Sequence, residues 1–246
     1  MPKRELPTVS PRQQKESFLQ SLRDDPDDET TRLVFADWLE DHGEPKSADE
    51  ARKGPLSDWR MHVLRWSDCD RCVLKDVRTK VVLGRGKVPC DVLLVGEAPG
   101  SSEDVIGQPF IGPAGKHLDN LIAQSVRQGP RYEELRFAWT NIVACIPKGA
   151  DGTKAKEPEF ECIQACRPRL EEMVVLARPR LLVAVGAVAR DYTMKGDKYC
   201  ARIPAGTKMV TVDHPAHILR ANVAQQGLLN QRVVVILSNA FEELFE

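Results

Sequence analysis

DVLLVGEAPGSSEDVIGQPFIGPAG, residues 91–115, decides the architecture. Its first five residues, Asp91–Val95, are mostly apolar and partly β-branched, which predicts a buried strand. The next twenty, residues 96–115, hold five glycines, three prolines, three acids and a single aromatic, Phe110. Such a segment brings bare backbone close to something, because glycine lets the chain approach without side chains in the way. A helical pattern follows at about residues 114–127. Working outward, strands are expected at Phe137–Val143, Arg180–Val185 and Lys208–Val212, with helical patterns at about 159–178, 186–195 and 230–245. Strands alternating with helices of this length predict an α/β fold, a three-layer α/β/α sandwich around a central parallel four-stranded sheet. GEAPG, ACIPKG and DHPA each follow a predicted strand, so the unusual loops gather on one edge, where ligands bind in such sheets.

The chain of 246 residues is long enough for a proper core plus an appendage. The N-terminal MPKRELPTVSPRQQK has no apolar stretch, and runs such as LLVAV at 181–185 are too short to span a bilayer. A cytoplasmic protein with no membrane segment is expected. Seven cysteines without a secretion signal are better read as metal ligands or free thiols than as a disulfide framework. Net charge is −1, but residues 15–50 hold four bases against twelve acids, net −8, so the remainder carries +7. An acidic appendage beside a basic main domain fits a larger part that meets a polyanion, although ordinary solvated charge would give the same numbers.

Residues 16–41 show two short helical patterns, Phe18, Leu19 and Leu22, then Leu33, Val34, Phe35, Trp38 and Leu39, separated by DDPDD. The organisation expected is therefore a flexible N-terminus over 1–14, an acidic helical hairpin over 15–50, a linker over 51–65 and the main domain over 66–246. The stretch FLQSLRDDPDDETTRLVFADWLEDHGEP resembles a small repeat-companion helical module, a likeness that implies no chemistry, and its protein partner is left unknown.

GEAPGSSEDVIGQPFIGPAG, TNIVAC, ACRPRL and HPAHILR, in that order and after an early Cys-x-x-Cys, resemble the uracil-DNA glycosylase superfamily, most closely its iron–sulfur family 4 branch. The likeness covers residues 66–246 and implies a monofunctional enzyme, expected as a monomer, that acts on DNA containing uracil. It offers a reason for the glycine-rich loop: a flipped nucleotide must be held in a closed pocket that backbone approaches closely. By resemblance Gly96, Glu97, Ala98, Phe110 and Asn141 form the uracil pocket, with Phe110 supplying an aromatic face. A fixed amide at Asn141 would match the donor and acceptor order of uracil and leave cytosine unpaired, at about 1–3 kcal/mol per mismatched contact. His214 would hydrogen-bond the charge that develops on the uracil oxygens. Among the acids Glu97, Glu103 and Asp104, the resemblance points to Glu103 as the catalytic carboxylate, although such acids equally serve as helix caps. Ala98 stands where other branches place a water-activating Asp.

The same resemblance assigns Cys69, Cys72, Cys145 and Cys166 to a [4Fe–4S] cluster, while four thiolates would equally suit zinc. Cys162, four residues before Cys166 on a predicted helix, competes for the fourth position; Cys90 and Cys200 read as buried thiols. Two departures matter. The loop 146–158, IPKGADGTKAKEP, lacks the proline pair and Asn-Arg of the family, and no histidine occurs between 118 and 213, which argues against a branch that traps its product covalently. The expected activity is release of uracil to leave an abasic site; the alternatives are a catalytically silent DNA binder of the same fold and a glycosylase for another deaminated base.

Overall fold

The computed structural model describes residues 9–148, 157–196 and 200–246. The chain divides after Asp68 into two units, each with its own apolar core. In neither unit do the described residues contain a helix long and apolar enough to cross a membrane.

Among its described residues the first unit has four helices, α1 (Pro11–Asp24), α2 (Glu29–Asp41), α3 (Pro45–Arg52) and α4 (Asp58–Trp66). The expected hairpin is α1 and α2. Ser10 and Gln13 close a reciprocal capping box, and Asp28 accepts from the Thr31 amide at 2.9 Å. The expected linker over 51–65 needs correction, because most of it is helical. Leu56, Met61 and Leu64 are buried with Leu19, Phe35 and Leu39 in one core. Their charged neighbours in DWRMHVLRW hide that stripe, and Gly54-Pro55 marks only a turn between two helices. The first helix also begins inside the stretch expected to be flexible, whose residues 1–8 lie outside the described part.

The second unit is built on a sheet in the order β1-β3-β2-β4-β5, comprising β1 (Arg85–Gly86), β2 (Val92–Gly96), β3 (Phe137–Asn141), β4 (Leu181–Val185) and β5 (Lys208–Val212). The last four are parallel, as expected. A fifth strand was not: β1 pairs antiparallel with β3 through two residues, Arg85 with Trp139 and Gly86 with Ala138. An Arg-Gly pair carries no apolar signal for a strand.

Helices α5 (Ser101–Ile106), α6 (Pro113–Val126), α7 (Phe160–Ala177), α8 (Ala187–Met194), α9 (Pro215–Arg220) and α10 (Val223–Glu242) complete it. Side chains alternate across a strand. Val92, Leu94, Leu181 and Val183 therefore share a core with Leu118 of α6 and Leu237 and Phe241 of α10, while α7 packs on β3 and α8 on β4. That is the three-layer sandwich. α10 starts seven residues before the expected 230, where Asn222 caps it and Gln225, Gln226 and Gly227 dilute the apolar pattern. From β2 the chain crosses to β3 on one side and then to β4 on the other. The sheet order thus reverses at β2, and a crevice opens at the carboxyl ends of the strands there.

Candidate active site

The crevice is a cleft of about 590 Å³ lined from the ends of four parallel strands, by Glu97 and Ala98 after β2, Asn141 at the end of β3, Gly186 after β4 and His214 after β5. Glu103 and Phe110 from the glycine-rich loop, Glu157, and Arg220 at the end of α9 complete the wall.

Gly96 explains why β2 ends in glycine. It sits beside Asn141 in the parallel register, and a β-carbon there would overlap both Asn141 Oδ1 and the Phe110 ring. The carboxamide and the ring therefore meet over bare backbone. Phe110 has φ +56°, a conformation unusual for a bulky residue, of the kind that costs about 1–3 kcal/mol and persists only where its surroundings impose it. Gly115, at the start of α6, permits it, because a β-carbon there would overlap the Phe110 carbonyl. Asn141 is buried, yet among the described residues its carboxamide has no hydrogen-bond partner. An amide on the cleft wall with no partner among the described residues is free to read a ligand. From behind, the buried guanidinium of Arg169 on α7 donates to the carbonyls of Asn141 and Ile142, and to Thr140 Oγ1 at 2.8 Å.

The acids differ. Glu103 Oε1 accepts from the amides of Ile111 at 3.1 Å and Gly112 at 2.8 Å, bracing the loop that presents Phe110. Asp104 lies outside the cleft lining, receiving the Thr79 amide at 2.8 Å and the Lys148 ammonium at 3.0 Å. Among the described residues Glu97 has no side-chain hydrogen bond. Burial raises its carboxyl above the usual glutamate range, and the charge of Glu157 adds to that.

His214 caps α9: its Nδ1 accepts from the Ala216 amide at 3.2 Å. A neutral ring accepting at Nδ1 carries its proton on Nε2. Burial lowers its pKa, with like charge from Arg220 and His217 adding to the effect, so the neutral ring is favoured. Gly186, φ +92°, leaves space for it, since a β-carbon there would come within 3.1 Å of the His214 β-carbon.

The expected metal ligands lie in the second unit. Burial raises Cys69, with the neighbouring Cys166 adding to it. Burial pushes Cys145 up to about 12, with contributions from Cys166 and Cys69. Cys166 Sγ receives the Ala144 amide at 3.4 Å, and Cys145 Sγ receives Arg78 Nη1 at 3.6 Å. Cys162 is also pushed up to about 12 by burial and shares a hydrogen bond with Cys72. Five thiols are thus neighbours, although no three His, Cys, Asp or Glu among the described residues already stand in a metal-holding arrangement. The donor set suits a thiophilic group, which binds by displacing thiol protons. Cys90 and Cys200 are buried, as expected.

The structure therefore brings Gly96, Glu97, Ala98, Glu103, Phe110, Asn141 and His214 to one cleft. Sequence reasoning overlooked Gly115, inside the quoted motif; Arg169, inside ACRPRL; and Glu157, in the departing loop, of which residues 149–156 lie outside the described part. Arg85, between two glycines, gave no signal.

Known proteins match this unit. A family model for the uracil DNA glycosylase superfamily matches residues 83–241. The chain is 33% identical over 169 residues to a type-4 uracil-DNA glycosylase of Pyrobaculum aerophilum, covering 62% of this chain and 80% of the relative. Its identity to that of Thermotoga maritima is 32% over 164 residues, 63% of this chain and 80% of the relative. To that of Archaeoglobus fulgidus it is 30% over 165 residues, 61% of this chain and 78% of the relative. The model's match spans β1 through most of α10 and every residue of the cleft lining, and on that evidence the chain belongs to the uracil-DNA glycosylase superfamily.

Proposed function

We propose that the second unit hydrolyses the N-glycosidic bond of deoxyuridine in DNA, releasing uracil and leaving an abasic site. The observation that carries this reading is the meeting of the unpartnered Asn141 carboxamide and the Phe110 ring over Gly96, opposite a neutral His214.

A flipped uracil stacks on Phe110, and Asn141 reads its edge, donating from Nδ2 to O4 and accepting the N3 proton at Oδ1. Cytosine presents the reverse order and leaves both groups unpaired. As the C1′–N1 bond breaks, its electron pair spreads onto the ring oxygens. His214 Nε2–H donates to that charge at O2, an interaction stronger in the transition state than in the ground state. Water adds to C1′ of the cation-like sugar and gives its proton to solvent. The carboxylate of Glu97, which has no side-chain hydrogen bond among the described residues, opposes the sugar's positive charge, while Glu103 serves the same acidic wall and holds the Phe110 loop by its amides.

Cys69, Cys72, Cys145 and Cys166 would hold a [4Fe–4S] cluster, whose bonds would tie the 69–72 segment and α7 to the segment that follows β3. The Ala144 and Arg78 hydrogen bonds to Cys166 and Cys145 are of the kind that ligand sulfurs receive. DNA containing uracil is the partner, met by a monomer.

The test is single-turnover excision from oligonucleotides carrying uracil, hypoxanthine or mismatched cytosine, with wild type and Asn141→Ala. Wild type should release uracil alone, and the variant should be slower and less selective. Unchanged selectivity in Asn141→Ala would contradict the reading of the base by this amide.

A further inference from the structure

Phe110 is held in its positive-φ conformation by more than the two glycines beneath it. Arg85 of β1 donates from Nε to the Pro109 carbonyl at 2.8 Å and from Nη2 to the Phe110 carbonyl at 3.4 Å. Nη2 also reaches both carboxylate oxygens of Asp119 on α6, at 2.7 and 2.8 Å. The guanidinium lies 3.8 Å from the centroid of the Trp139 ring, its cross-strand partner on β3. Three anchors from three elements fix one rigid fork, and a planar guanidinium suits that task where a lysine ammonium would not. The loop is therefore gripped twice: Glu103 takes the amides of Ile111 and Gly112, and Arg85 takes the carbonyls of Pro109 and Phe110.

We propose that Arg85 is a positioning residue that sets base retention, by clamping the Phe110 backbone so that the aromatic floor of the cleft stays closed against Asn141. This rests on the reading of the cleft as a uracil site, and it explains the two-residue strand β1. That pairing sets Arg85 beside Trp139, and the Asp119 ion pair aims the fork at the loop.

The test uses the full-length protein with Arg85→Gln, Arg85→Lys and Asp119→Asn, alone and with Phe110→Ala. Three quantities are read: inhibition of excision by free uracil, affinity for an abasic oligonucleotide, and amide hydrogen exchange at Ile111 and Gly112. Arg85→Gln should weaken inhibition by uracil roughly tenfold and accelerate exchange at both amides, with abasic-DNA affinity unchanged. Arg85→Lys should fall between it and wild type. Asp119→Asn, which keeps the arginine but frees it, should move the same quantities in the same direction by less. In the Phe110→Ala background Arg85→Gln should add less than about twofold, because the group it acts through is gone. Wild-type inhibition and exchange in Arg85→Gln, or losses that add fully to those of Phe110→Ala, would overturn the proposal. A wild-type protein that excises no uracil would instead reject the functional reading, while the exchange rates still judge the clamp.

Discussion

Replacing Gly96 with alanine tests the contact on which the site depends. The added methyl would occupy the space in which Asn141 Oδ1 and the Phe110 ring now meet. Neither neighbour yields easily: Asn141 is fixed by the β3 register and by Arg169 on its carbonyl, and Phe110 is seated on Gly115. Forcing a methylene-sized group into packed surroundings costs about 1–3 kcal/mol, or roughly 2–12 °C of Tm for a domain of this size. The larger effect is on function. Displacing the carboxamide from the base edge forfeits about 1–3 kcal/mol of discrimination and binding, which lowers kcat/KM for uracil roughly 5- to 150-fold. The assay is steady-state excision from a single-uracil oligonucleotide beside thermal unfolding. Gly227→Ala on α10, where a β-carbon meets nothing within 4 Å, is the control and should gain up to about 1 kcal/mol of stability with excision unchanged. A Gly96→Ala protein with wild-type kcat/KM and selectivity would refute the close meeting of ring and amide as the basis of the site.

Two further outcomes follow from the same geometry. Burial and the Glu157 charge raise the Glu97 pKa, and the working form is the carboxylate, so activity is lost as pH falls through that raised value. Glu157→Gln removes part of the cause and should shift the acid limb of the single-turnover pH–rate profile to lower pH; an unmoved limb, or one shifted upward, would exclude Glu97 as the titrating group. Cys166→Ala should lose iron and acid-labile sulfide from anaerobically purified protein while Cys162→Ala retains them. The opposite order, or stoichiometric zinc without iron, would reject the ligand set.

The central strands β2 and β4 were legible because a doubly covered strand is a continuous apolar run, and VLLV and LLVAV contain nothing else. The site was legible where its residues belong to loops that follow those runs. What stayed hidden depends on contacts between distant segments. β1 is an Arg-Gly pair whose strand character exists only through β3. α4 buries Met61 and Leu64 from within a charged sequence. Glu103, singled out as the catalytic acid, lines the cleft and also carries two loop amides, a pairing across eight and nine residues that no local pattern reveals, and in our reading it shares the electrostatic role at the sugar with Glu97. Gly96, Gly115 and Gly186 look alike in the sequence, yet each makes room for a different partner: the carboxamide and ring, the Phe110 backbone, and the imidazole.

The central claim is that this cleft breaks a glycosidic bond by stabilising the charge that appears on uracil. Its most direct test is single-turnover excision from an oligonucleotide with one uracil, scored by alkaline cleavage at abasic sites, with wild type and His214→Ala compared at equal DNA affinity. Wild type should release free uracil and convert the strand, and His214→Ala should be slower by roughly 10²-fold or more, the scale for losing a preorganised donor to a developing anion. A wild-type protein that binds the oligonucleotide and leaves it intact, or a His214→Ala protein as fast as wild type, would contradict the account.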